Sequence, residues 1–568
     1  MPSLRFLLPC LVAVTLASSP AAAWNPDPAL GNPDTHRRLY EIGRKYLDEN
    51  FDPDANLVGT PSHHPPNKKS HVVRESANYA YALLMTGDAE DRARAQPILR
   101  NVIAAQDTRA GSPSEGAFLW NAEDKWETLP NPDLNSAVFN GLTLVQVADL
   151  DRKHPCLDAD VRAQVEAAAK LAIKEVLRRD VEASYSNIAC ISSALAAAGK
   201  KLWGMDDAGK WAEDKLDTVL QLAGGDDGAV YEYLSPTYGA VDLSGAYCAQ
   251  KFAFSDAFSA KAKALTDHLW KEFAGSYHAP SYQIVGPNNR SYGEDMLTYA
   301  AGLKYYLYLA LDGDYPMSDT DTDHAWDKGG LCAIASLPIG PRPEFKVKPA
   351  EFRVLTAVGL PHPPRRLSQY QQGNLCLGTV DFQDEWKQKR NLVAYWRSAA
   401  QTPEGFRIGY CLDESNETLP SAIPGAQIHF YSKQVNGAAL VALTAASVVP
   451  GAGSNSLVFA PTAVLEPGDG APFRVRDGDY TAYVYPVSPA SPVYEGKGDD
   501  RNLHFKLERS WTSADVVGNL HVVGYVVVFR ASGQPAPAVS ALSLAAAADG
   551  VTASAVVDGT PLSLTFKN

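Results

Sequence analysis

The hydrophobic period of this 568-residue chain changes once, and that change limits what the chain can fold into. From residue 34 to about residue 311, apolar residues recur every three or four positions, as on the buried face of a helix. After Phe352 the period falls to two, and β-branched and aromatic residues become frequent, as in half-buried strands. Because the chain is too long for one ordinary core, the pattern predicts a multidomain α+β protein, helical first and antiparallel β second.

About ten helices are expected in the first half, joined by turns such as Thr86-Gly87-Asp88. Stacked helical hairpins of this kind can close into an (α/α) toroid with a cleft at one end of the ring, and a plain helical bundle is the alternative. The long loops between the hairpins favour the toroid. The predicted helices cover 38–47, 74–86, 93–106, 135–150, 160–178, 188–203, 210–222, 242–252, 257–273 and 296–311.

Short strands separated by glycine and proline turns indicate a large antiparallel β-sandwich in the second half. Asn436-Gly437 lies between two such strands and is a hairpin signal. The expected strands include 392–396, 427–431, 480–485 and 522–529. The predicted organisation is an export signal over 1–23, a toroid over 24–315, a glycine- and proline-rich linker over 316–350 and a sandwich over 351–568.

The N-terminus has the features of an export signal. Arg5 precedes a short apolar run over 6–17, and Ala21-Ala22-Ala23 is a small-residue cleavage site. No later stretch has the roughly 18 uncharged apolar residues of a membrane span. We therefore expect a secreted protein, a monomer or dimer, with no membrane partner.

The net charge of −14 argues against nucleic acid as a partner, because that would call for a basic face. A polyanionic substrate must then be met by a local cluster of cations.

Six cysteines remain once the signal is removed, and none has the Cys-x-x-Cys spacing of a zinc site. They are either buried thiols or disulfides, whose pairing the sequence does not reveal. The aspartate run 319–323 is similar to a calcium loop, but His324 stands at the glycine position and Gly330 at the glutamate position. We therefore interpret the aspartate run as a solvated acidic linker rather than a calcium site. Neither a metal nor an organic cofactor is expected.

The turn-rich loop 276–295 carries the strongest functional signal, because Arg290 and Tyr292 place a fixed cation beside an ionisable hydroxyl. With Asn187 and Tyr238 they form a set suited to removing the C5 hydrogen of a uronic acid. An amide and a guanidinium absorb the charge of the developing enolate, and a tyrosine moves the proton. The predicted catalytic residues are therefore Asn187, Tyr238, Arg290 and Tyr292.

The predicted substrate-binding residues are polar or aromatic groups near these segments, namely Arg74, Trp120, Asn135, Glu232 and His278. Each candidate also has an ordinary structural interpretation. A tyrosine or tryptophan can be core, Asn187 can cap a helix, Arg290 can pair with Glu294 or Asp295, and His278 can lie at the surface.

Several stretches of the helical half resemble the polysaccharide lyases that combine an (α/α) toroid with an antiparallel β-sandwich. The resemblance is greatest to polysaccharide lyase family 38 and looser to the heparinase II/III-like lyases. It is carried by the stretches at 74–80, 133–135, 186–187, 232–238 and 286–293.

The resemblance implies β-elimination in β-1,4-linked uronic-acid chains such as glucuronan or mannuronate-rich alginate. It implies that Asn187 and Arg290 neutralise the carboxylate and that Tyr292, or else Tyr238, transfers the proton. Related sequences can carry a histidine in the loop where this chain has Asn288, so the base could be a tyrosine acting alone.

Two other functions fit the same residues. A glycoside hydrolase on the toroid would use paired carboxylates among Asp227, Glu232, Glu294 and Asp295. A non-catalytic glycan-binding protein would use the aromatic residues only to stack on sugars.

Overall fold

The computed structural model describes residues 26, 30–61, 69–317, 325–384, 388–402, 405–415, 428–445, 454–466, 472–487, 495–498, 505–510, 515–517, 520–547 and 550–566. The predicted export signal and the aspartate run 319–323 lie outside the described residues.

Eleven α-helices occupy the N-terminal half of the described chain. They are α1 Pro33–Asn50, α2 Val73–Met85, α3 Ala89–Ala104, α4 Ser136–Lys153, α5 Ala159–Arg179, α6 Ser186–Trp203, α7 Asp206–Ala223, α8 Tyr238–Lys251, α9 Asp256–Gly275, α10 Gly302–Ala310 and α11 Leu331–Ala335.

The helices form two concentric layers. The inner layer runs α2, α4, α6, α8 and α10 through successive contacts, and α1 and α11 complete it between α10 and α2. Helices α3, α5, α7 and α9 pack outside, each beside the inner helix that precedes it in the chain. The predicted (α/α) toroid is therefore confirmed.

Local sequence explains where several of these helices begin and end. The Asp88 carboxylate accepts the N–H groups of Glu90 and Asp91 and so caps α3. Gly204 ends α6 in the left-handed region at φ 67°, which glycine adopts without a Cβ penalty. Helix α6 is buried on nearly every face because it lies between two inner neighbours and α7.

The strands lie mainly in the C-terminal half. They are β1 Phe51–Asp52, β2 Leu57–Pro61, β3 Lys69–His71, β4 Gly228–Ala229, β5 Tyr277–His278, β6 Gln283–Ile284, β7 Phe352–Ala357, β8 Arg365–Gln372, β9 Leu375–Val380, β10 Phe382–Asp384, β11 Leu392–Thr402, β12 Gly405–Ser415, β13 Ile428–Val435, β14 Ala438–Ala445, β15 Ser454–Phe459, β16 Val464–Leu465, β17 Phe473–Asp477, β18 Tyr480–Val487, β19 Glu495–Gly498, β20 Phe505–Ser510, β21 Val516–Val517, β22 Leu520–Ala531, β23 Val539–Ala547, β24 Gly550–Val557 and β25 Thr560–Phe566.

Two large sheets form the predicted sandwich. One has the order β10-β13-β14-β22-β18-β17-β16, with β21 also paired to β22, and the other the order β19-β20-β15-β12-β11-β9-β8-β7-β4. Their facing side chains meet in one core, where the rings of Trp396 and Phe529 lie 5.9 Å apart. A third sheet, β23-β24-β25, covers the outer face of the first large sheet through a separate apolar cluster.

Two features tie the halves together. Strand β4 comes from the helical half and pairs in parallel with β7 at the edge of the second sheet. In the loop before α10, Asn288 and Arg390 exchange both backbone hydrogen bonds, each 2.9 Å long. The β half therefore supports the loop that carries Arg290.

The structure corrects two predicted boundaries. The helix expected over 296–311 begins only at Gly302, because the Asp295 carboxylate accepts the N–H groups of Leu297 and Thr298 and holds them in a turn. In the expected linker, α11 packs on α1 and α2, with Leu331, Cys332 and Ala335 buried, so this segment belongs to the ring. Its flanking glycines and prolines concealed this role.

The structure also bears on three other expectations, which concern a hairpin turn, the cysteines and membrane-spanning helices. The Asn436-Gly437 turn joins β13 to β14 with Asn436 at φ 45°. The six cysteines in the described chain are free and buried, as in the thiol interpretation. No helix in the described ranges has both the length and the apolar composition needed to cross a membrane.

Candidate active site

A cavity of about 490 Å³ opens where the inner helices begin. Tyr238 is the first residue of α8 and Gly302 the first of α10, while Tyr185 and Asn135 directly precede α6 and α4. Helix N-termini carry partial positive charge and unpaired N–H groups. The floor of the ring therefore favours a negatively charged ligand.

The loop that carries Arg290 is fixed by its neighbours on both sides. The Asn288 side-chain amide donates to the Leu234 carbonyl at 2.8 Å, and the Asn289 amide donates to the Tyr231 carbonyl at 2.7 Å. The Ser235 hydroxyl donates to the Arg290 carbonyl at 2.6 Å. These asparagines therefore hold the loop against segment 231–235, where Asn288 is buried.

The guanidinium of Arg290 is held by three side chains. Its Nε donates to Gln388 Oε1 at 2.9 Å, its Nη1 to Glu232 Oε1 at 3.3 Å and its Nη2 to the Tyr238 hydroxyl at 2.8 Å. Its Cζ also lies 3.9 Å from the centre of the Tyr238 ring. Arg290 is thus a fixed cation at the wall of the cavity.

Tyr238 and Tyr292 form a hydroxyl pair with an oxygen–oxygen distance of 2.7 Å. The Tyr238 hydroxyl also accepts from Arg290, and either phenol can be the donor in the bond between the two tyrosines. Burial is the main cause that raises the pKa of Tyr238 far above its usual range, although Arg290 acts in the opposite direction. Tyr238 therefore stays protonated at neutral pH, and Tyr292, 36% exposed, presents its hydroxyl to the cavity.

Glu232 lies behind Arg290 and is buried. Its Oε2 accepts from both the backbone N–H and the side-chain amide of Asn187. Burial raises the pKa of Glu232 to about 7, and the charge of Arg290 lowers it in part. Its charge therefore changes close to neutral pH, next to the guanidinium.

Asn187 does not line the cavity. It is 0% exposed at the start of α6, and its side-chain oxygen is buried with no partner among the described residues. In this structure Asn187 holds Glu232, which in turn holds Arg290. Three of the four predicted catalytic residues, Tyr238, Arg290 and Tyr292, share the cavity, and Asn187 supports them from behind.

Another part of the cavity wall contains an aromatic and charged group. The Cζ of Arg74 lies 5.5 Å from the ring centres of both Trp120 and Phe139. Arg74 also donates to Glu75 Oε1 from Nε at 3.1 Å and from Nη2 at 2.8 Å. Trp120 is 45% exposed, as expected for a platform on which a sugar ring can stack.

Asn135 lines the cavity at the start of α4. Its amide donates to the Tyr185 hydroxyl at 3.1 Å, and its side-chain oxygen accepts from Arg179 at 3.1 Å. Of the predicted binding residues, Arg74, Trp120 and Asn135 therefore reach the cavity wall. Glu232 lies one layer behind it.

The structure does not bring His278 to the cavity. Its ring is buried between Ser281 Oγ at 2.7 Å and the Gly373 carbonyl at 3.2 Å. Burial lowers its pKa to about 4, so the ring is neutral and its role is to join β5 to the β half. A substrate contact is therefore not supported by its position.

Sequence reasoning missed Gln388 and Asp327, and it gave no role to Tyr185, which directly precedes Asn187's helix and lines the cavity. Gln388 lies in the β half, where no chemical motif was recognised, and only its distance from Arg290 reveals it. Asp327 lies in the segment read as linker and lines the cavity, and burial raises its pKa to about 7. Within the described chain, no group of three or more metal-ligating side chains is assembled.

The carboxylates proposed for a hydrolase do not converge. Asp227 is exposed at the turn before β4, and the Asp295 carboxylate is used to cap Leu297 and Thr298. Of that set, Glu232 contacts Arg290.

The fold and site together define a two-part protein, with an (α/α) toroid and a β-sandwich, whose ring opens into a cavity lined by the half-buried Arg290 and a tyrosine pair. A family model described as "Domain of unknown function (DUF8769)" matches residues 37–335, more than half of the chain. The chain belongs to this family. None of the curated proteins matches it.

Several solved structures are similar over most of their length. Heparinase III has 12% identity and a TM-score of 0.38 over 97% of this chain and 100% of that one. Heparan sulfate lyase HepC from Pedobacter heparinus has 12% identity and a TM-score of 0.35, covering 96% and 92%. Endoglucanase CelQ from Clostridium thermocellum has 9% identity and a TM-score of 0.26, covering 88% and 93%. Similarity at these identities and TM-scores is not evidence of activity. Membership of polysaccharide lyase family 38 stays a prediction.

Proposed function

We propose that this protein is a secreted polysaccharide lyase that cleaves β-1,4-linked uronic-acid chains, such as glucuronan or mannuronate-rich alginate, by β-elimination. The observation that carries the proposal is the chain of hydrogen bonds from Arg290 to Tyr238 and from Tyr238 to Tyr292 at the cavity wall. It supplies a cation for the substrate carboxylate and a phenol for proton transfer in one place.

The proposed roles follow from placing the shared proton of the phenol pair on Tyr238. Arg290 donates to Tyr238, and the protonated Tyr238 donates to the Tyr292 oxygen, which stabilises negative charge on that oxygen. Tyr292 reacts as the phenolate, after its own proton has passed to solvent. It takes the C5 proton of the uronate, and the bond between C4 and the leaving oxygen breaks as the C4–C5 double bond forms. The leaving oxygen takes up a proton from Tyr292 when both lie on the same face of the sugar.

Arg290 lowers the energy of the enolate that forms on the carboxylate. It is suited to this because Gln388, Glu232 and Tyr238 already hold it in place, so little reorganisation is needed during the reaction. Glu232 and Asn187 are positioning residues, since neither lines the cavity. The N-termini of the inner helices add to the attraction for the acidic chain.

The test is a panel of glucuronan, mannuronate-rich alginate, hyaluronan and pectate, followed by the ultraviolet absorbance of unsaturated sugar ends. The protein is expected to release such ends from at least one of the first two polymers. A hydrolase would instead yield saturated reducing ends without new absorbance, and a glycan-binding protein would leave the chain length unchanged.

Tyr292→Phe is expected to lower kcat by about 10²- to 10⁴-fold, the usual worth of a positioned acid–base group. The matched control is Tyr483→Phe on β18, a partly buried tyrosine distant from the cavity lining. Full activity in a folded Tyr292→Phe protein would contradict the proposal.

A further inference from the structure

The start of helix α6 presents Tyr185, and not Asn187, to the cavity. Asn187 is 0% exposed, and its side-chain amide is bonded to Glu232, so this amide is closed to the carboxylate of a bound sugar. Tyr185 precedes it by two residues, is half-buried and lines the cavity. Its hydroxyl is therefore a polar group of this helix start that a ligand in the cavity can meet.

The direction of the hydrogen bond to Tyr185 is fixed by Arg179. A guanidinium carries only donors, so the Asn135 atom that meets Arg179 Nη2 at 3.1 Å must be the oxygen Oδ1. The other end of that amide, Nδ2, lies 3.1 Å from the Tyr185 oxygen and can only donate to it. The Tyr185 oxygen is thus the acceptor in this bond, and its own proton is left for another group.

Asn135 is held firmly enough to keep this arrangement. Its backbone N–H donates to Asp133 Oδ1 at 2.9 Å, and its side-chain oxygen is bonded to Arg179. Within the described part of the chain, the Tyr185 hydroxyl has the bond from Asn135 and no acceptor for its proton. A hydroxyl of this kind at a cavity wall is a ready donor to a ligand.

Tyr185 also lies close to Arg290. Burial lowers the pKa of Arg290, yet nearby oxygen groups raise it overall, and Tyr185 is one of these groups. Both residues line the same cavity, together with Tyr292. One carboxylate can therefore be met by a guanidinium and a phenol at the same time.

A phenol in this position suits the chemistry of the site. As the C5 proton leaves, negative charge moves onto the substrate carboxylate, and hydrogen bonds to a charged oxygen are stronger than those between neutral groups. A hydroxyl that already accepts a hydrogen bond is polarised and becomes a better donor. The bond from Asn135 therefore strengthens the donor ability of Tyr185.

We propose that Tyr185 donates a hydrogen bond to the carboxylate of the uronic acid, beside Arg290, and that Asn135 is its positioning residue. The proposal rests on the lyase function proposed above and adds a second group that stabilises the enolate. The proton stays on Tyr185 throughout, so Tyr292 remains the group that moves the C5 proton.

The first test is Tyr185→Phe, which removes the hydroxyl and keeps the ring. The rate of unsaturated product formation should give a kcat lowered by about 10- to 100-fold, the worth of a hydrogen bond to a charged group. KM should change little, because the bond is strongest when the enolate forms. Tyr483→Phe on β18 is the matched control. Wild-type kcat in a folded Tyr185→Phe protein would overturn the proposal.

The second test reverses the hydrogen bond. In Asn135→Asp one carboxylate oxygen still accepts from Arg179, but the other accepts the Tyr185 proton and withdraws it from the substrate. This variant should lose as much kcat as Tyr185→Phe, and combining the two changes should lower kcat little further. The added charge raises KM in both backgrounds and does not enter the comparison of kcat. Equal factors in the two backgrounds would show that Asn135 does not act through Tyr185.

Binding tests the carboxylate contact without turnover, in the Tyr292→Phe background. Calorimetry compares a glucuronan trisaccharide with cellotriose, which has the same linkage and no carboxylates. Adding Tyr185→Phe should weaken binding of the acidic trisaccharide by about three- to tenfold, the range for one hydrogen bond in the ground state, and leave cellotriose binding unchanged.

Equal affinities for the acidic trisaccharide with and without the Tyr185 hydroxyl would overturn the contact. A protein that releases no unsaturated ends from any polymer, yet shows the selective loss of acidic binding in Tyr185→Phe, would retain the contact and remove the lyase function.

Discussion

Gln388 and Arg290 come from the two halves of the protein and are joined by a hydrogen bond of 2.9 Å from Arg290 Nε to Gln388 Oε1. The backbone reinforces the contact, since the Ser291 N–H donates to the Gln388 carbonyl at 2.7 Å. The β half therefore helps to orient the cation in the cavity of the helical half.

Gln388→Leu should lower kcat by about 10- to 100-fold, because a hydrogen bond to a charged group is worth about 1.5–3 kcal/mol. Gln388→Glu should recover most of the activity, since it keeps an oxygen acceptor facing Arg290. Rates of unsaturated product formation, with Gln221→Leu on the exposed side of α7 as control, measure the effect. Equal kcat for Gln388→Leu and wild type would remove Gln388 from the positioning of Arg290.

The Glu232 carboxyl is expected to make substrate binding depend on pH near neutrality. Burial raises its pKa to about 7, so it is neutral below this pH and forms an ion pair with Arg290 above it. The ion pair competes with the substrate carboxylate, so KM should rise about three- to tenfold as pH increases from 6 to 8.

In Glu232→Gln the KM should stay low across this range. Glu272→Gln is the matched control, because Glu272 also has its pKa raised to about 7 by burial but accepts the backbone N–H groups of Val230 and Leu234. A pH dependence that persists unchanged in Glu232→Gln would assign it to another group.

Trp120→Ala should raise KM by about three- to tenfold while kcat changes by less than about twofold. The reason is that Trp120 is exposed at the cavity wall and can stack on a sugar without touching the reacting atoms, a contact worth about 0.5–1.5 kcal/mol. Initial-rate kinetics separate the two constants. Phe352→Ala removes an equally exposed aromatic ring from β7 and should change neither.

Glu272 should make stability fall as pH rises. Its pKa is raised to about 7 in the folded protein and is near 4.3 when unfolded, so the folded state binds the extra proton between these values. The stabilisation is therefore present at low pH and is lost as pH rises through 7.

Relative to wild type, replacing Glu272 by Gln should raise the free energy of unfolding at pH 8 by a few kcal/mol more than at pH 5. The magnitude follows from about 1.4 kcal/mol for each pKa unit. Denaturant unfolding at both pH values measures it, and Glu90→Gln on the surface of α3 should show no such difference. An equal effect of Glu272→Gln at both pH values would contradict the assignment.

Much of the local structure could be predicted from the residues. The change of period separated helices from strands, and all ten predicted helices overlap a helix of the structure, nine of them over more than four fifths of their length. Asn436-Gly437 formed its turn because its backbone preferences act over two residues. The helix expected from 296 started late because one side chain, that of Asp295, captured two backbone N–H groups.

Only part of the candidate site could be predicted from the sequence. Tyr238, Arg290 and Tyr292 could be chosen by residue type and order, yet their meeting depends on a loop held by Asn288 and Asn289. Asn187 lies near the cavity but is buried behind Glu232. A residue's place at the start of a helix does not reveal such burial.

The sequence by itself determined which segments became helix or strand, because hydrophobic period and turn residues act over a few neighbouring positions. Tertiary structure alone decided that the ring closes through α11, that Gln388 reaches Arg290 from 98 positions away, and that the described cysteines remain thiols. These outcomes depend on how separate surfaces pack, and packing energy is shared among many residues that are distant in the chain.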